Sequence, residues 1–433
     1  MPMASGNVEL RRSIGRNDLA ALAINGVVGA GIFGLPAQAY ALTGAWSLVA
    51  FMLCAGLATL IALCFAEVGS RFRQTGGPYL YAREGLGPAA GFMTGWIWFL
   101  ARVAAYAANL HLMINYLAFV VPVLQNETVH GGAVVVVTGA LLALNIRGVR
   151  DSTLASNIFA VAKLSILFLF VAVGLFFLDP AQFHLAAPPP PDRMGSAILL
   201  LVYAFTGFEL ATVAAGEIKD PQRDLPRALL LAMGVVAVLY LGIQVVCVGT
   251  LPGLAQSSRP LADAARQFAG PSGALIIVAG AVFSILGNLN LQLLACSRIP
   301  FAMAEEGALP GFLAVVHPVR RTPHFALIAT AVIAVALALS RSFLAAVTIS
   351  SMGRLLAYGA TAVALLRFRS RPGATPAPFA VPLAPAAVWL TLGLIMWLLA
   401  QVKLPELLQT AGALLLGLFL YGLARKGSKW GVQ

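Results

Sequence analysis

The sequence predicts an all-α integral membrane protein with about twelve transmembrane helices, and three observations lead to this fold class. Of the 433 residues, 60% are hydrophobic and only 10% are charged. The mean hydropathy of the chain is +0.89, whereas soluble domains carry about 25% charged residues. Apolar segments of the roughly 20 residues that a helix needs to cross a bilayer recur from end to end. We therefore expect a single transmembrane domain over 1–433 without a soluble module.

The apolar windows define the predicted spans in order along the chain. They are approximately 18–40, 45–69, 89–120, 131–147, 153–178, 194–216, 228–250, 272–302, 323–341, 343–367, 381–401 and 404–424. The short span 131–147 fits a helix near the membrane normal, and the long span 272–302 predicts a tilted helix or one that extends beyond the bilayer.

The start of the chain needs a separate test, because Arg11, Arg12 and Arg16 precede an apolar run as in a secretory signal peptide. That run is too long for a signal peptide, contains Asn25 and Pro36, and lacks a convincing cleavage site. We interpret it as an uncleaved first span.

The net charge of +12 comes from 28 Lys and Arg residues against 16 Asp and Glu. The basic residues stand singly or in pairs between apolar runs and concentrate in alternate loops. This pattern marks cytoplasmic loops and predicts that both termini lie in the cytoplasm, with the lipid bilayer of the cell membrane as the main partner. The scatter argues against a nucleic-acid partner.

Metal and cofactor chemistry find no support in the sequence. Its four cysteines lie within or at the ends of apolar runs, at spacings that fit neither a metal site nor a disulfide framework. The five histidines are scattered. We predict buried thiols, no metal and no cofactor.

The first span carries glycines where a continuous helix would be expected. Gly26, Gly29, Gly31 and Gly34 lie within nine residues, ahead of Pro36, and each glycine weakens a helix by about 1 kcal/mol relative to alanine. The spacing alone leaves two interpretations open. One is a discontinuous helix whose exposed amides capture an anionic group, and the other is close helix packing through small residues.

The sixth span carries a matching interruption, because Gly207 lies mid-span beside Glu209 within an aromatic stretch. Interrupted helices at corresponding places of two halves point to a transporter's binding site. Spans one and six are five apart. We therefore predict two repeats of five helices, 18–178 and 194–367, the second inverted because five is odd, with 381–424 added outside. Because the two interruptions lie at corresponding places of the two repeats, we favour the binding-site interpretation of both breaks.

Four stretches of the chain resemble, in order, those of the amino acid–polyamine–organocation superfamily of permeases. They are the broken first helix at 26–36, the first cytoplasmic loop at 66–81, the aromatic-x-Phe-x-Gly-x-Glu pattern at 203–209 and the loop at 217–228. A weaker fifth similarity runs over 297–310. The resemblance implies a five-plus-five inverted repeat, the leucine-transporter-like fold, and transport by alternating access.

The resemblance also implies roles for residues at the two breaks. Backbone groups around Gly29 would bind the α-carboxylate of a substrate, and carbonyl groups at the end of the sixth helix would bind its α-ammonium. Tyr203 would be the outer aromatic gate. The implied substrate-binding set is Val28, Gly29, Ala30, Gly31, Tyr203, Ala204, Phe205, Thr206 and Gly207.

Lys163 lies inside the fifth span, where a lysine costs about 2.5–3.5 kcal/mol on insertion scales. It is about ten residues into its helix, roughly 15 Å at 1.5 Å per residue, so snorkelling to the surface is strained. In sodium-independent members of the superfamily, a lysine at this point looks to take the place of the sodium ion. The resemblance thus implies that Lys163 contacts the broken first helix, either as a fixed cation or as a titrating group coupled to protons.

Glu209 and Arg354 are further charges predicted inside the membrane. Glu209 could be a proton-linked carboxylate, a determinant of cationic side chains, or a structural group that holds the broken helix. Arg354 departs from the superfamily, where relatives commonly have a small hydroxyl residue. It could pair with Glu209 or disfavour cationic substrates.

Other polar residues within the spans are expected to be structural. Arg102 is expected to form a structural pair. Interhelical hydrogen bonds, with the site as a lesser alternative, are predicted for Asn109, Asn115, Asn288, Asn290 and Gln292.

Three function classes compete at this point. A permease for a small-molecule amino acid, acting as a sodium-independent proton symporter or an exchanger, fits best, with a polyamine or cationic amine antiporter of the same fold as its alternative. An ion channel is disfavoured because no selectivity-loop pattern repeats. An enzyme is disfavoured because no intramembrane His, Asp and Glu groups converge. The oligomeric state is not predicted.

Overall fold

The computed structural model describes residues 15–72, 76–147, 152–184, 187–213, 218–305, 307, 309–318, 320, 322–340, 343–371 and 376–427. Side chains within 147–162 and beyond 423 are not part of this description. Arg11 and Arg12 lie outside the described residues, as do positions 73–75, 214–217, 306 and 308 of the stretches named in the sequence analysis.

The described chain is built from α-helices that overlap every predicted span. Their bounds are α1 Arg16–Val27, α2 Gly31–Thr43, α3 Ser47–Ser70, α4 Gly77–Leu86, α5 Pro88–Leu117, α6 Glu127–Arg147, α7 Ser152–Gly174, α8 Pro191–Ala204, α9 Glu209–Val213, α10 Pro221–Thr250, α11 Pro260–Glu305, α12 His324–Ser340, α13 Phe343–Ser370, α14 Ala384–Leu399 and α15 Leu404–Gly427.

Seven stretches in the described part of the chain are long and apolar enough to cross a membrane, and one of them, Gly31–Ser70, covers both α2 and α3. Lys163–Phe177, His324–Ser340 and Ala384–Leu399 are shorter apolar helices. The all-helical membrane fold class is therefore confirmed. The count of twelve spans and the inverted repeat stay predictions.

α5 is the central helix of the fold. It packs against α13, α11, α4 and α12, and most of its residues are buried. At the periphery, α6, α12, α14 and α15 expose large apolar side chains such as Val136, Trp389 and Leu415. Water does not favour such a surface, whereas lipid does, so these helices form the outer layer of the bundle.

Two helical features differ from the sequence prediction. α4, Gly77–Leu86, lies between the predicted spans 45–69 and 89–120, where the resemblance implies a cytoplasmic loop. It folds as a helix because it packs against α5 and α13 and begins with Pro78 at a favourable early position. The long α11 is interrupted at Gly270, whose φ of 67° is non-helical, so the predicted span 272–302 begins just after this kink.

Candidate functional site

The first predicted break lies between α1 and α2. The Val28 amide donates to the Ile24 carbonyl at 2.8 Å and ends α1, and α2 begins at Gly31. The Lys163 ammonium reaches the break from α7, donates to the Asn25 carbonyl at 2.9 Å and also donates to the Val28 carbonyl. A cation at carbonyl groups that end a helix is stabilising, so Lys163 satisfies the cut end of α1.

The second predicted break lies between α8, which ends at Ala204, and α9, which begins at Glu209. Gly207 has a φ of +121°, in the region that favours glycine. Its amide donates to the Glu209 carboxylate at 2.8 Å. That buried carboxylate also accepts from Arg354 Nη1 at 2.6 Å and from Tyr358 Oη at 3.0 Å. Glu209 therefore ties the start of α9 to α13.

The two breaks cross each other at backbone contact. A Cβ added to Gly207 would lie 2.0 Å from the Gly26 carbonyl oxygen, and one added to Gly31 would lie 2.8 Å from Ala204 Cα. Close packing through small residues is thus present together with the discontinuity. The two interpretations of the glycine pattern do not exclude each other.

Tyr240 of α10 joins the carbonyl ends of both interrupted helices. Its hydroxyl lies 3.1 Å from the Val27 carbonyl oxygen and 3.3 Å from that of Ala204, and it is fully buried. The sequence analysis missed this residue, because a tyrosine in an apolar span carries no signal of its partner.

A small cavity lies between the two breaks and the helices α5, α11 and α13. Its lining is Gly26, Val27, Gly29, Ala30, Gly31, Arg102, Ala105, Asn109, Tyr203, Thr206, Gly207, Leu210, Asn288, Gln292 and Arg354. Most of the predicted substrate-binding set is present, from both breaks, together with Arg354.

Three members of the predicted set lie away from the cavity lining. Val28 is fully buried, and its carbonyl faces Lys163. The Ala204 carbonyl faces Tyr240. The Phe205 ring packs edge-on against Phe51 and Tyr240. These residues, like Lys163 and Glu209, contact the breaks on the side away from the cavity. They do so because only part of the circumference of a helix end can face the cavity.

The cavity walls on α5 and α11 contain residues that the sequence analysis left as structural. Asn109 Nδ2 donates to Gln292 Oε1 at 3.0 Å, and the Tyr203 hydroxyl donates to Asn109 Oδ1. On α11, Asn290 accepts from Asn145 at 2.8 Å. The predicted interhelical hydrogen bonds are thus confirmed for these residues, and two of them also line the cavity.

A sequence signal for these walls existed in the helical spacing. Arg102, Ala105 and Asn109 follow at i, i+3 and i+7, and Asn288 and Gln292 follow at i and i+4, which places each set on one helix face. Their convergence on one cavity depends on helix packing that a single sequence does not contain.

Arg102 does not form the structural pair with an acidic residue that the sequence analysis expected, as far as the described residues show. Its guanidinium lies 5.3 Å from the centre of the Trp98 ring and beside the Cys296 thiol. No carboxylate pairs with it among the residues that the structure describes. It is 4% exposed and lines the cavity.

Apolar helices around a polar cavity at two interrupted helices define a transporter embedded in the membrane. The particular family follows from comparison with known proteins. Residues 14–419 match the family model described as amino acid permease, and the chain belongs to this family. The superfamily resemblance seen in the sequence is confirmed.

Relatives align over most of their length. The chain is 29% identical to the methylthioribose transporter of Bacillus subtilis, over 91% of this chain and 89% of the relative. It is 28% identical to the branched-chain amino acid permease BcaP of Bacillus subtilis, over 98% and 96%. It is 29% identical to the serine/threonine exchanger SteT of the same organism, over 73% and 74%.

Proposed function

We propose that this protein is a secondary transporter that moves amino acids across the cell membrane by alternating access. It works without sodium, as a proton symporter or an amino-acid exchanger. Both termini lie in the cytoplasm, and the two repeats 18–178 and 194–367 carry the two breaks at corresponding places.

The observation that carries this proposal is the cavity lined by backbone of both interrupted helices. α2 starts at the cavity, and amide groups in the first turn of a helix favour an anion. α8 ends beside the cavity, where the Ala204 carbonyl faces Tyr240 and the negative end of the helix dipole favours a cation. An amino acid carries one group of each kind, so it matches the two breaks together.

The substrate-binding roles follow from this arrangement. The backbone at Gly29, Ala30 and Gly31 binds the α-carboxylate, and the end of α8 near Tyr203 binds the α-ammonium. Tyr203 is the gate. Its hydroxyl lies within hydrogen-bonding distance of two acceptors, Asn109 Oδ1 and the Ala105 carbonyl oxygen at 3.1 Å, and gate movement would separate it from both.

Sodium independence is supported by the position of Lys163. Its ammonium contacts two carbonyl groups at the break, where a cation is needed to satisfy the cut helix. A fixed positive charge there does the electrostatic work of a bound sodium ion. In the proton-coupled version of the proposal, loss of the Lys163 proton releases these carbonyls.

A polyamine or cationic amine antiporter is the alternative within the same fold. Arg102 and Arg354 both line the cavity, and only Arg354 has an acidic partner among the described residues. A cationic side chain would meet like charge there, so an amino acid without such a side chain is favoured.

Counterflow in proteoliposomes tests the proposed function. Vesicles loaded with unlabelled amino acid should accumulate the same labelled amino acid, saturably and equally with or without Na⁺. Empty vesicles are the control. Ohmic current without counterflow would favour a channel, and uptake that disappears without Na⁺ would overturn the choice of coupling.

Gly29→Leu tests the carboxylate site. A Cβ at this position would already lie 2.9 Å from Asn288 Nδ2, so a leucine fills the space in front of the α2 amides. Binding should fall by about ten-fold or more, because the leucine side chain occupies the space of the carboxylate and a hydrogen bond to a charged group contributes about 1.5–3 kcal/mol. Gly393→Ala, with open space around it, is the control. Normal affinity in Gly29→Leu would remove this site from the proposal.

A further inference from the structure

The cavity holds one buried cation whose charge the described protein groups do not balance. Arg102 is 4% exposed and lines the cavity. Its described neighbours include the Trp98 ring and the Cys296 thiol, and neither is a carboxylate. A buried charge without a partner is unfavourable, so something else must compensate Arg102 when the cavity closes.

The other charges nearby are already occupied. Glu209 is buried and accepts hydrogen bonds from Arg354, Tyr358 and Gly207. Arg354 is thereby neutralised within the protein. Lys163 is directed at the carbonyl groups behind the first break and is not among the lining residues. The surplus positive charge of the cavity therefore belongs to Arg102.

The wall beside Arg102 is formed by one face of α5. Ala105 lies one turn further along α5 and Asn109 one turn beyond it, so a small residue separates two polar ones on the same face. Asn109 is occupied by Tyr203 and Gln292. A ligand group that enters beside Ala105 meets the guanidinium, which has no carboxylate partner among the described residues.

We infer that Arg102 binds an acidic side chain of the substrate, so that the preferred substrates are aspartate or glutamate. This inference rests on the proposed function and deepens it. The α2 amides take the α-carboxylate, the end of α8 takes the α-ammonium, and the guanidinium takes the second carboxylate, for which its planar pair of donors is well suited. The net negative charge of the substrate matches the surplus positive charge of the cavity.

Substrate selectivity of the purified protein is the first test. Apparent melting temperature is measured with L-aspartate, L-glutamate, L-asparagine, L-glutamine and L-leucine, followed by counterflow of each labelled compound in proteoliposomes. An acidic amino acid should bind at least about ten-fold more tightly than its amide isostere, because the isostere leaves the charge unpaired.

Two variants assign the selectivity to Arg102. Arg102→Gln should lower the preference for the acidic compound over its amide by at least about ten-fold, measured as the ratio of the two counterflow rates in the same vesicles. Arg102→Lys should keep part of the preference, because it keeps the charge but not the bidentate geometry. Lys403→Gln, at an exposed position, is the control for a change of net charge.

Each outcome separates this inference from the proposed function. Counterflow of neutral amino acids but not of acidic ones, in the wild-type protein, would overturn the inference and leave the transporter intact. Equal loss of all substrates in a well-folded Arg102→Gln would also overturn it, since Arg102 would then serve the shared α-carboxylate or the structure. If no amino acid gives counterflow, the proposed function itself fails. If Arg102→Gln does not fold, the selectivity of the wild type and of Arg102→Lys still decides the question.

Discussion

Two single residues, Lys163 and Gly207, hold the backbone at the two breaks by opposite means. Lys163 adds a charge that satisfies carbonyl groups where α1 is cut. Gly207 omits a side chain, so that α8 and α9 can cross α1 at backbone contact. We therefore expect substitutions at both positions to disturb the breaks.

Lys163→Met should lower substrate affinity roughly ten-fold or more, because a charge-assisted hydrogen bond contributes about 1.5–3 kcal/mol and the carbonyl ends of α1 are left unsatisfied. The protein should still insert, since a charge has been removed from the membrane interior. Affinity and initial uptake rates are measured over a range of pH, with Lys403→Met as the matched surface control. Unchanged transport at every pH would remove Lys163 from the coupling mechanism.

Gly207→Ala should lower the apparent melting temperature strongly or prevent folding. The new Cβ would lie 2.0 Å from the Gly26 carbonyl oxygen at a φ of +121°, and backbone strain of this kind costs about 1–3 kcal/mol before the clash is counted. Thermal unfolding in detergent measures the effect. Gly56→Ala, in an exposed part of α3 with open space, should be neutral or slightly stabilising. Equal melting temperatures for the two variants would contradict the close crossing.

The interrupted elements depend on neighbouring helices for their missing hydrogen bonds. α9 has only five residues, too few to be stable alone, and its first residue is the one that Arg354 and Tyr358 of α13 bind. Of the three roles left open for Glu209, the described geometry favours the structural one. The pair between Glu209 and Arg354 that the sequence analysis considered is present.

A double-mutant cycle measures this tie between α9 and α13. Glu209→Gln should destabilise the protein by about 3–5 kcal/mol, because it leaves Arg354 buried without its counter-charge. The double variant Glu209→Gln, Arg354→Gln should recover part of the loss, with a coupling energy of about 0.5–3 kcal/mol. Thermal unfolding and uptake are measured for all four proteins. A Glu209→Gln protein of normal stability whose transport no longer responds to pH would instead assign Glu209 to proton coupling.

Across the whole bundle, the ends of distant helices are joined by a second buried carboxylate. Glu67 at the end of α3 is fully buried and accepts from Arg369 Nε and Nη2, both at 2.6 Å. The Val381 amide, in the segment that leads to α14, donates to the same carboxylate at 2.8 Å. One carboxylate thus links α3, α13 and the segment before α14.

Arg369→Ala should destabilise the bundle by about 1.5–3 kcal/mol, since the buried Glu67 would lose two short charge-assisted hydrogen bonds. Glu67 would keep the Val381 amide and Arg71 Nη2 at 3.6 Å. The apparent melting temperature should fall well below that of Arg367→Ala, whose side chain is exposed and which is the matched control. Conversely, if both variants unfold at the wild-type temperature, this link contributes no stability to the closed bundle.

The sequence by itself determined the membrane fold class, the location of both helix breaks and about half of the residues around the cavity. It could do so because lipid forces long apolar helices on any segment that crosses it, and because glycine and intramembrane charge are conspicuous against that background. Lys163, Gly207 and Glu209 were all visible as exceptions to a local rule.

Only the tertiary structure decided which residues of the two breaks line the cavity and which contact the breaks on the side away from it. Val28, Ala204 and Phe205 belong to the same short stretches as the lining residues, but their groups are used by Lys163, Tyr240 and aromatic packing. Arg102, Asn109 and Gln292 come from helices far apart in the chain. Their meeting depends on interhelical packing, and the rotation of one helix against another is a property of the whole assembly that no local pattern contains.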